Sequence, residues 1–391
     1  MNDNNDFYVY VLPVSGGALV SHLSLLREIY DARIKSNGGI SSGSKSYAPD
    51  LVLGSSGGNI CAYIGLMSDW NSSLIEKNVD IINSNLFIKN WVNDDFHLIP
   101  SLPFSFLNKS LYNQGIGAKS IFNKTFTIHS IQRVEIWSGT FDSTNKKAQF
   151  FCNKSSEDTY ITETFFNEEQ YHYSSMPLIY LNGCIDNISE ICVASCTIPT
   201  IVPSKVINGI KYDDGGVMYA SPLSVFSREI YRIVTGKEEY RFSKKENKCI
   251  DPDIKEFTYI ETTKSTVKNL RLIYFYPYQP NNMESSNFFI KLYLDSMLNV
   301  AMNQDRNSSI ELLNKLCNGN VKSEDILSLN STILGDKLKV LNKRKHYIIC
   351  LYPHGNPSVD ITKLNGEAIL KSMDEIKESY GCQIWFSEEF I

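Results

Sequence analysis

The first 70 residues contain the same pattern twice: an apolar run, a glycine-rich turn and a helix-like segment. FYVYVLPV (7–14) is continuously apolar and rich in β-forming residues, which is typical of a strand covered on both faces. After SGGA, apolar residues recur with helical spacing at Leu19, Leu23, Leu26 and Tyr30. LVLG (51–54) likewise leads through a glycine cluster into NICAYIGLM, which we interpret as a buried helix. Two successive units of this kind predict a parallel sheet with crossover helices.

Later segments continue this α/β pattern. RVEIWSGTF and AQFFCN, separated by DSTNKK, predict a β-hairpin, and LRLIYFYPY and HYIICLYP predict two more buried strands. Two further helices are predicted from apolar faces, one formed by Phe289, Leu292, Tyr293 and Met297 and the other by Ile369, Met373, Ile376 and Tyr380. Because no internal repeat or linker interrupts the pattern, we expect one α/β domain.

The expected domain spans residues 7–391, with two insertions at about 85–130 and 237–265 and with strands and helices over 269–391. The first insertion contains HLIPSLPFSFL, for which a loop buried by its own aromatic residues is favoured over an apolar flap at a lipid-binding mouth. Within the second, residues 237–256 alternate charges of both signs and predict a solvated excursion.

Charge and cysteine content narrow the class of function. The net charge is −5, with 38 basic and 43 acidic residues mixed along the chain, so a nucleic-acid partner is not expected. No apolar run approaches the ~18 residues of a transmembrane helix, and the amino-terminal residues do not resemble a signal peptide, so we expect a cytoplasmic protein.

Nine cysteines without a C-x-x-C pair favour reduced thiols. The group Cys184, Cys192 and Cys196 suggests a metal site, but its apolar surroundings without histidine favour buried, inert cysteines.

The cluster GSSGG at 54–58 matches G-x-S-x-G, with Ser56 as the central serine between a strand and a helix-like segment. Glycines flank such a serine because the sharp turn leaves no room for side chains. Its hydroxyl would lie at the amino end of the following helix, where free N–H groups favour negative charge, whereas Ser55 lacks that placement. The pentapeptide alone is equally compatible with an ordinary turn.

A nucleophilic serine needs a base. In the α/β-hydrolase order of serine, acid and histidine, the candidates are His346 and His354. His346 begins an apolar strand and is interpreted as structural, while His354, in the turn PHGNP, keeps a histidine-assisted mechanism open. The stronger partner is Asp214 in KYDDGGV, which directly precedes two glycines, whereas Asp213 is interpreted as a solvated carboxylate at a strand end.

Four segments occur in an order that matches one known family. SGGA (15–18) is similar to a glycine-rich oxyanion loop and GSSGG to a nucleophile elbow. ASCTIPTIVP (194–203) resembles an A-S-x-x-x-P-x-x-x-P segment and DGG (214–216) an Asp-Gly-Gly motif. Together they resemble the patatin-like phospholipases, which use a serine–aspartate dyad without histidine. The similarity is best over residues 7–222.

The resemblance implies a three-layer α/β/α fold with a mostly parallel central sheet, and a lipid acyl hydrolase of phospholipase A type. By this resemblance Ser56 would attack the ester carbonyl and Asp214 would orient and deprotonate it. The oxyanion would be held by backbone N–H groups of Gly16, Gly17 and Ala18. Supporting motif positions are Gly54, Gly58, Gly215, Gly216 and Pro199. No metal or other cofactor is implied, and the expected partner is a phospholipid or other acyl ester, met through transient contact with a membrane surface.

The chain departs from the family pattern in the oxyanion loop and before Pro222. Ser15 stands at the first glycine of the loop, and Leu19 and Val20 stand where arginine and glycine are usual. Ala220 and Ser221 replace asparagines that the family often shows. These departures favour a second hypothesis, a catalytically weak patatin-like protein that serves as a lipid-binding or assembly component.

Overall fold

The centre of the computed structural model is a mixed sheet in which five neighbouring strands run parallel, in the order β13 (Tyr347–Pro353), β11 (Asn269–Phe275), β1 (Asp6–Leu12), β2 (Leu51–Ser55) and β3 (Glu135–Asp142). Two strands, β14 (Tyr380–Ser387) and β12 (Val321–Leu329), each antiparallel to its neighbour, extend the sheet beyond β13. On the other side β4 (Lys147–Cys152) and β5 (Leu178–Tyr180) extend it beyond β3, while β7 (Ile210–Asp214), which also pairs with β6 (Lys205–Ile207), joins the carboxyl end of β3 on the edge that β2 occupies. The structure describes residues 5–38, 47–85, 134–154, 178–180, 190–192, 194–197, 199, 204–217, 222–243, 248–249, 257–261, 267–279, 289–355, 357, 366–377 and 380–391.

The strands are β1 (Asp6–Leu12), β2 (Leu51–Ser55), β3 (Glu135–Asp142), β4 (Lys147–Cys152), β5 (Leu178–Tyr180), β6 (Lys205–Ile207), β7 (Ile210–Asp214), β8 (Lys237–Ser243), β9 (Lys248–Cys249), β10 (Phe257–Glu261), β11 (Asn269–Phe275), β12 (Val321–Leu329), β13 (Tyr347–Pro353) and β14 (Tyr380–Ser387). The helices are α1 (Leu19–Ser36), α2 (Gly57–Met67), α3 (Ser72–Asn85), α4 (Leu223–Thr235), α5 (Phe289–Leu316), α6 (Ser331–Leu341) and α7 (Gly366–Lys377).

Helices cover both faces of the sheet. One hydrophobic cluster joins buried residues of α1, α2, α3, α6 and α7 to one face, and a second cluster joins α4 and α5 to the other. Strand β1 contributes to both, since Tyr10 and Leu12 belong to the first cluster and Val9 and Val11 to the second. Successive side chains of a strand point to opposite faces, so a continuously apolar strand is the one that two helical layers can cover. The predicted three-layer α/β/α architecture is confirmed.

The first two strand–turn–helix units occur as predicted. Strand β1 ends at Leu12, a 3₁₀ turn covers Gly16–Ala18, and α1 begins at Leu19. Strand β2 ends at Ser55 and α2 begins at Gly57. The predicted hairpin is also present, with β3 and β4 paired antiparallel around residues 143–146.

Tyr380 was predicted on a helix face with Ile369, but α7 ends at Lys377 and Tyr380 begins β14, because it pairs with Leu329 and Pro353. The described residues of the charged stretch 237–256 include β8 and β9, which with β10 form a small antiparallel sheet, and the solvation of this stretch stays a prediction. The expected loop within 85–130 falls outside the described residues, apart from the end of α3.

Within the described ranges, none of the helices combines the length and the apolar character needed to cross a bilayer.

Candidate active site

Two strands meet end to end along one edge of β3. On that edge β3 pairs with β2 as far as Ser55 and Gly139, and directly beyond this point it pairs with β7, where Thr140 lies opposite Asp214. Strand β4 occupies the other edge of β3. Because β2 runs parallel to β3 and β7 antiparallel to it, their carboxyl ends face each other. Ser56 and Asp214, which are 158 positions apart in the sequence, therefore become neighbours.

The side chains of these two residues form a short hydrogen bond. The Ser56 hydroxyl donates to Asp214 Oδ2 at 2.6 Å, and the backbone N–H of Gly216 donates to Asp214 Oδ1 at 2.8 Å. The two residues are only 4% and 5% exposed. Both carboxylate oxygens are thus engaged, which fixes the orientation of Asp214 toward the serine oxygen.

The backbone at Ser56 has an unusual conformation, with φ 52° and ψ −129°. Such a conformation costs on the order of 1–3 kcal/mol and persists only where surrounding contacts impose it. The neighbouring glycines permit the close packing that does so. A Cβ on Gly58 would lie 2.1 Å from the Leu12 carbonyl oxygen, and a Cβ on Gly54 would lie 3.0 Å from Cα of Asn59. Helix α2 can therefore approach the end of β1 only without a side chain at Gly58, and Gly54 lets α2 pack closely on β2.

The two glycines after Asp214 also permit close packing around the site. A Cβ on Gly215 would lie 2.5 Å from the carbonyl oxygen of Gly139, and one on Gly216 would lie 2.8 Å from a methyl group of Val14. Pro199, the remaining supporting position, is half-buried.

The glycine turn and the start of α2 adjoin each other next to Ser56. Gly57 begins α2, and the first N–H groups of a helix have no intrahelical acceptor. The glycine turn lies against this helix start, because a Cβ on Gly57 would be 3.2 Å from the Gly16 nitrogen. Of the three predicted oxyanion positions, Gly16 and Gly17 open the 3₁₀ turn, whereas the Ala18 N–H already donates to the Ser15 carbonyl at 2.9 Å. Ala18 is therefore a poorer candidate for an oxyanion donor than Gly57. The sequence could have indicated Gly57, because in G-x-S-x-G hydrolases the N–H of the residue after the nucleophile is an oxyanion donor.

Burial controls the protonation of the carboxylate. Desolvation raises the pKa of Asp214 from 3.8 to about 6, while its hydrogen bonds from Ser56 and Gly216 oppose that rise and the nearby Asp213 charge adds to it. Asp213 is itself only 6% exposed, so the expectation of a solvated carboxylate was wrong. It adjoins Asp214 on β7 and so points to the opposite face of the strand, which the protein also covers.

The glycine turn departs from the family pattern at positions that the fold buries. Leu19 and Val20 are buried in the cluster between α1 and the sheet, so the positions where arginine and glycine are usual belong to the core. Ser15 is also buried, and its hydroxyl has no hydrogen-bond partner among the described residues. That hydroxyl lies 2.6 Å from the point that a Cβ on Gly57 would occupy, so Ser15 fills the space between the loop and α2.

Neither candidate histidine bonds to the serine in the part of the chain that the structure describes. His346 accepts a hydrogen bond at Nδ1 from the Leu270 N–H at 3.0 Å, and burial lowers its pKa to about 4. The ring of His354 lies edge-on to Tyr352, with centroids 6.2 Å apart. The hydroxyl of Ser56 donates instead to Asp214.

Two residues that the sequence analysis did not single out contact this pair. The Ser195 hydroxyl accepts a hydrogen bond from the Ser56 N–H at 2.9 Å, and the Thr197 carbonyl accepts one from the Asp214 N–H at 2.8 Å. Both lie in the ASCTIPTIVP segment, which was recognised only as a motif resemblance. A small hydroxyl between apolar residues carries no local signal of such a contact.

The cysteines of the same region are buried. Cys192 and Cys196 are free thiols whose pKa values burial raises, as expected of inert cysteines, and Cys184 lies outside the described residues. The pKa of Cys196 is also affected by its neighbours Ser56 and Asp214. No group of three or more histidine, cysteine or acidic residues suited to a metal ion occurs within the described ranges.

Comparison with known proteins gives one family. The family model described as "Patatin-like phospholipase" matches residues 14–227, which is more than half of the chain and includes the glycine turn, Ser56, Ser195 and Asp214. No curated protein matches the chain significantly.

Proposed function

Because the chain belongs to the patatin-like phospholipase family, we propose that it hydrolyses carboxylic esters of glycerolipids through a covalent intermediate on Ser56, with Asp214 as general base. The family is one of lipid acyl hydrolases. The observation that carries the proposal is the 2.6 Å hydrogen bond from the Ser56 hydroxyl to a buried carboxylate at the amino end of α2. A serine becomes a useful nucleophile when an adjacent base accepts its proton.

The proposed reaction has two halves. In the first, Asp214 takes the Ser56 proton while the serine oxygen attacks the ester carbonyl carbon, and the resulting tetrahedral intermediate collapses to an acyl-serine. The leaving alcohol, a lysolipid, receives the proton from Asp214. In the second, Asp214 deprotonates water, which attacks the acyl carbon and releases the fatty acid, and the proton returns to Ser56. No metal or cofactor takes part in these steps.

Negative charge on the carbonyl oxygen needs donors close to Ser56. We assign this role to the N–H groups of Gly16, Gly17 and Gly57, since the glycine turn and the start of α2 adjoin each other there. The helix dipole adds to the stabilisation. One such donor is worth on the order of 3 kcal/mol in the barrier.

The substrate and location remain those that the sequence predicts. We expect a phospholipid or related acyl ester, reached through transient contact with a membrane surface from the cytoplasm.

Three substitutions test the proposal. Ser56→Ala and Asp214→Asn should each lower fatty-acid release from phosphatidylcholine vesicles, and chromophore release from short p-nitrophenyl esters, by about 10⁴-fold. Ser55→Ala is the matched control, because Ser55 is a buried neighbour whose hydroxyl has no hydrogen-bond partner in the described structure. Full activity in the Ser56→Ala protein would exclude the covalent mechanism.

The second hypothesis, a catalytically weak protein that binds lipid or assists assembly, is favoured by Leu19 and Val20, which the core holds where the family usually has arginine and glycine. Reaction with a fluorophosphonate probe separates the two functions. Labelling that Ser56→Ala abolishes supports the hydrolase, whereas wild-type protein that binds vesicles without labelling supports the second hypothesis.

A further inference from the structure

The segment from Ser195 to Thr197 contacts the main chain of both members of the Ser56–Asp214 pair. Ser195 accepts from the Ser56 N–H at 2.9 Å, and the Thr197 carbonyl accepts from the Asp214 N–H at 2.8 Å. A turn closed by the Thr197 N–H and the Ala194 carbonyl, at 3.2 Å, connects the two contacts. One short piece of chain thus links the ends of β2 and β7.

The Ser195 hydroxyl occupies the place where the β2–β3 ladder stops. The last paired residues are Ser55 and Gly139, and the next amide, that of Ser56, donates to the Ser195 oxygen. The same hydroxyl donates to the Gly139 carbonyl at 2.7 Å. Ser195 therefore bridges two backbone groups that the turn at Ser56 has separated. Its side chain is fully buried, so water does not substitute readily for these bonds.

We propose that Ser195 is a positioning residue that holds Ser56 in its strained conformation and so keeps the serine hydroxyl on Asp214. This inference rests on the proposed function. The strained φ of 52° requires external restraint, and the Ser195 bond acts directly on the Ser56 amide. The Ser195 hydroxyl accepts a hydrogen bond from the Ser56 N–H and donates one to the Gly139 carbonyl, and an alanine at this position could make neither bond.

The experiment compares two buried serines. Ser195→Ala removes the bridge, and Ser24→Ala removes a similar buried bond, from the Ser24 hydroxyl to the Met373 carbonyl at 2.9 Å, which joins α1 to α7 away from the site. We expect Ser195→Ala to lower kcat on a p-nitrophenyl ester on the order of 100-fold with KM nearly unchanged. Ser24→Ala should keep kcat within about twofold, and Ser195→Thr, which retains a hydroxyl, should restore most of the lost activity.

The pH profile separates positioning from general destabilisation. The hydrogen bond from Ser56 lowers the pKa of Asp214, so its loss in Ser195→Ala should move the acid limb of kcat/KM to higher pH. Ser24→Ala should leave the limb in place. Wild-type kcat in Ser195→Ala, an unmoved acid limb, or a folded but inactive Ser195→Thr protein would each overturn the proposal.

Amide hydrogen exchange tests the restraint on Ser56 independently of catalysis. The Ser56 amide should exchange slowly with solvent in the wild type and much faster in Ser195→Ala, with no such change in Ser24→Ala. If the wild type hydrolyses no ester, the proposed function fails, and the exchange data still decide whether Ser195 restrains Ser56. Equal exchange in the wild type and Ser195→Ala would refute the restraint.

Discussion

The free energy of unfolding of Asp214→Asn, minus that of the wild type, should be larger at neutral pH than at acidic pH. Burial raises the pKa of Asp214 from 3.8 to about 6. Between these values the folded protein binds this proton more tightly than the unfolded chain, so the free energy of unfolding falls as pH rises from about 4 to about 6. A difference of about two pKa units corresponds to on the order of 3 kcal/mol. Asparagine does not titrate, so the variant should avoid that loss.

The assay is urea unfolding of the wild type and Asp214→Asn at several pH values from 4 to 7.5. Subtracting the wild-type free energy of unfolding from that of Asp214→Asn cancels the titration of groups common to both proteins. We expect this difference to rise by about 3 kcal/mol as the pH increases. Asp336→Asn serves as control for the same substitution at a carboxylate that is 70% exposed. A flat or falling difference for Asp214→Asn would show that the hydrogen bonds from Ser56 and Gly216 outweigh desolvation, contrary to our reasoning.

Three further predictions follow from the same geometry. The kcat/KM of the wild type should rise with pH through about 6 and then level, since a general base must be deprotonated; a profile that falls over this range would contradict the role of Asp214. Gly58→Ala should prevent folding or greatly lower the melting temperature, because its Cβ meets the Leu12 carbonyl at 2.1 Å. Gly16→Ala, where φ is +51° and space is open, should cost only about 1–2 kcal/mol, and equal losses in the two variants would refute this account. His354→Ala should keep ester hydrolysis within about twofold of wild type, whereas a loss of 100-fold or more would support the histidine-assisted alternative.

The order of strands, turns and helices around the site was readable from the sequence. Apolar runs before SGGA and GSSGG, and a helical stripe from Leu19 onward, are local patterns that depend on residues a few positions apart. Such patterns predict element type and, through continuous apolarity, a sheet covered on both faces. They do not predict where an element ends against a distant partner, and for that reason Tyr380 was assigned to a helix although it begins β14.

The site itself depended on tertiary structure. The sequence and its family resemblance nominated Ser56 and Asp214, but their 2.6 Å contact exists because β7 pairs antiparallel with β3 directly beyond the end of β2. Strand pairing between segments far apart in sequence leaves no periodic trace in either one. The burial of Asp213 and the bridge made by Ser195 were invisible for the same reason, since both arise from neighbours that only the folded chain supplies. Local sequence thus determined which elements form, while long-range packing decided which hydroxyl and which carboxylate meet.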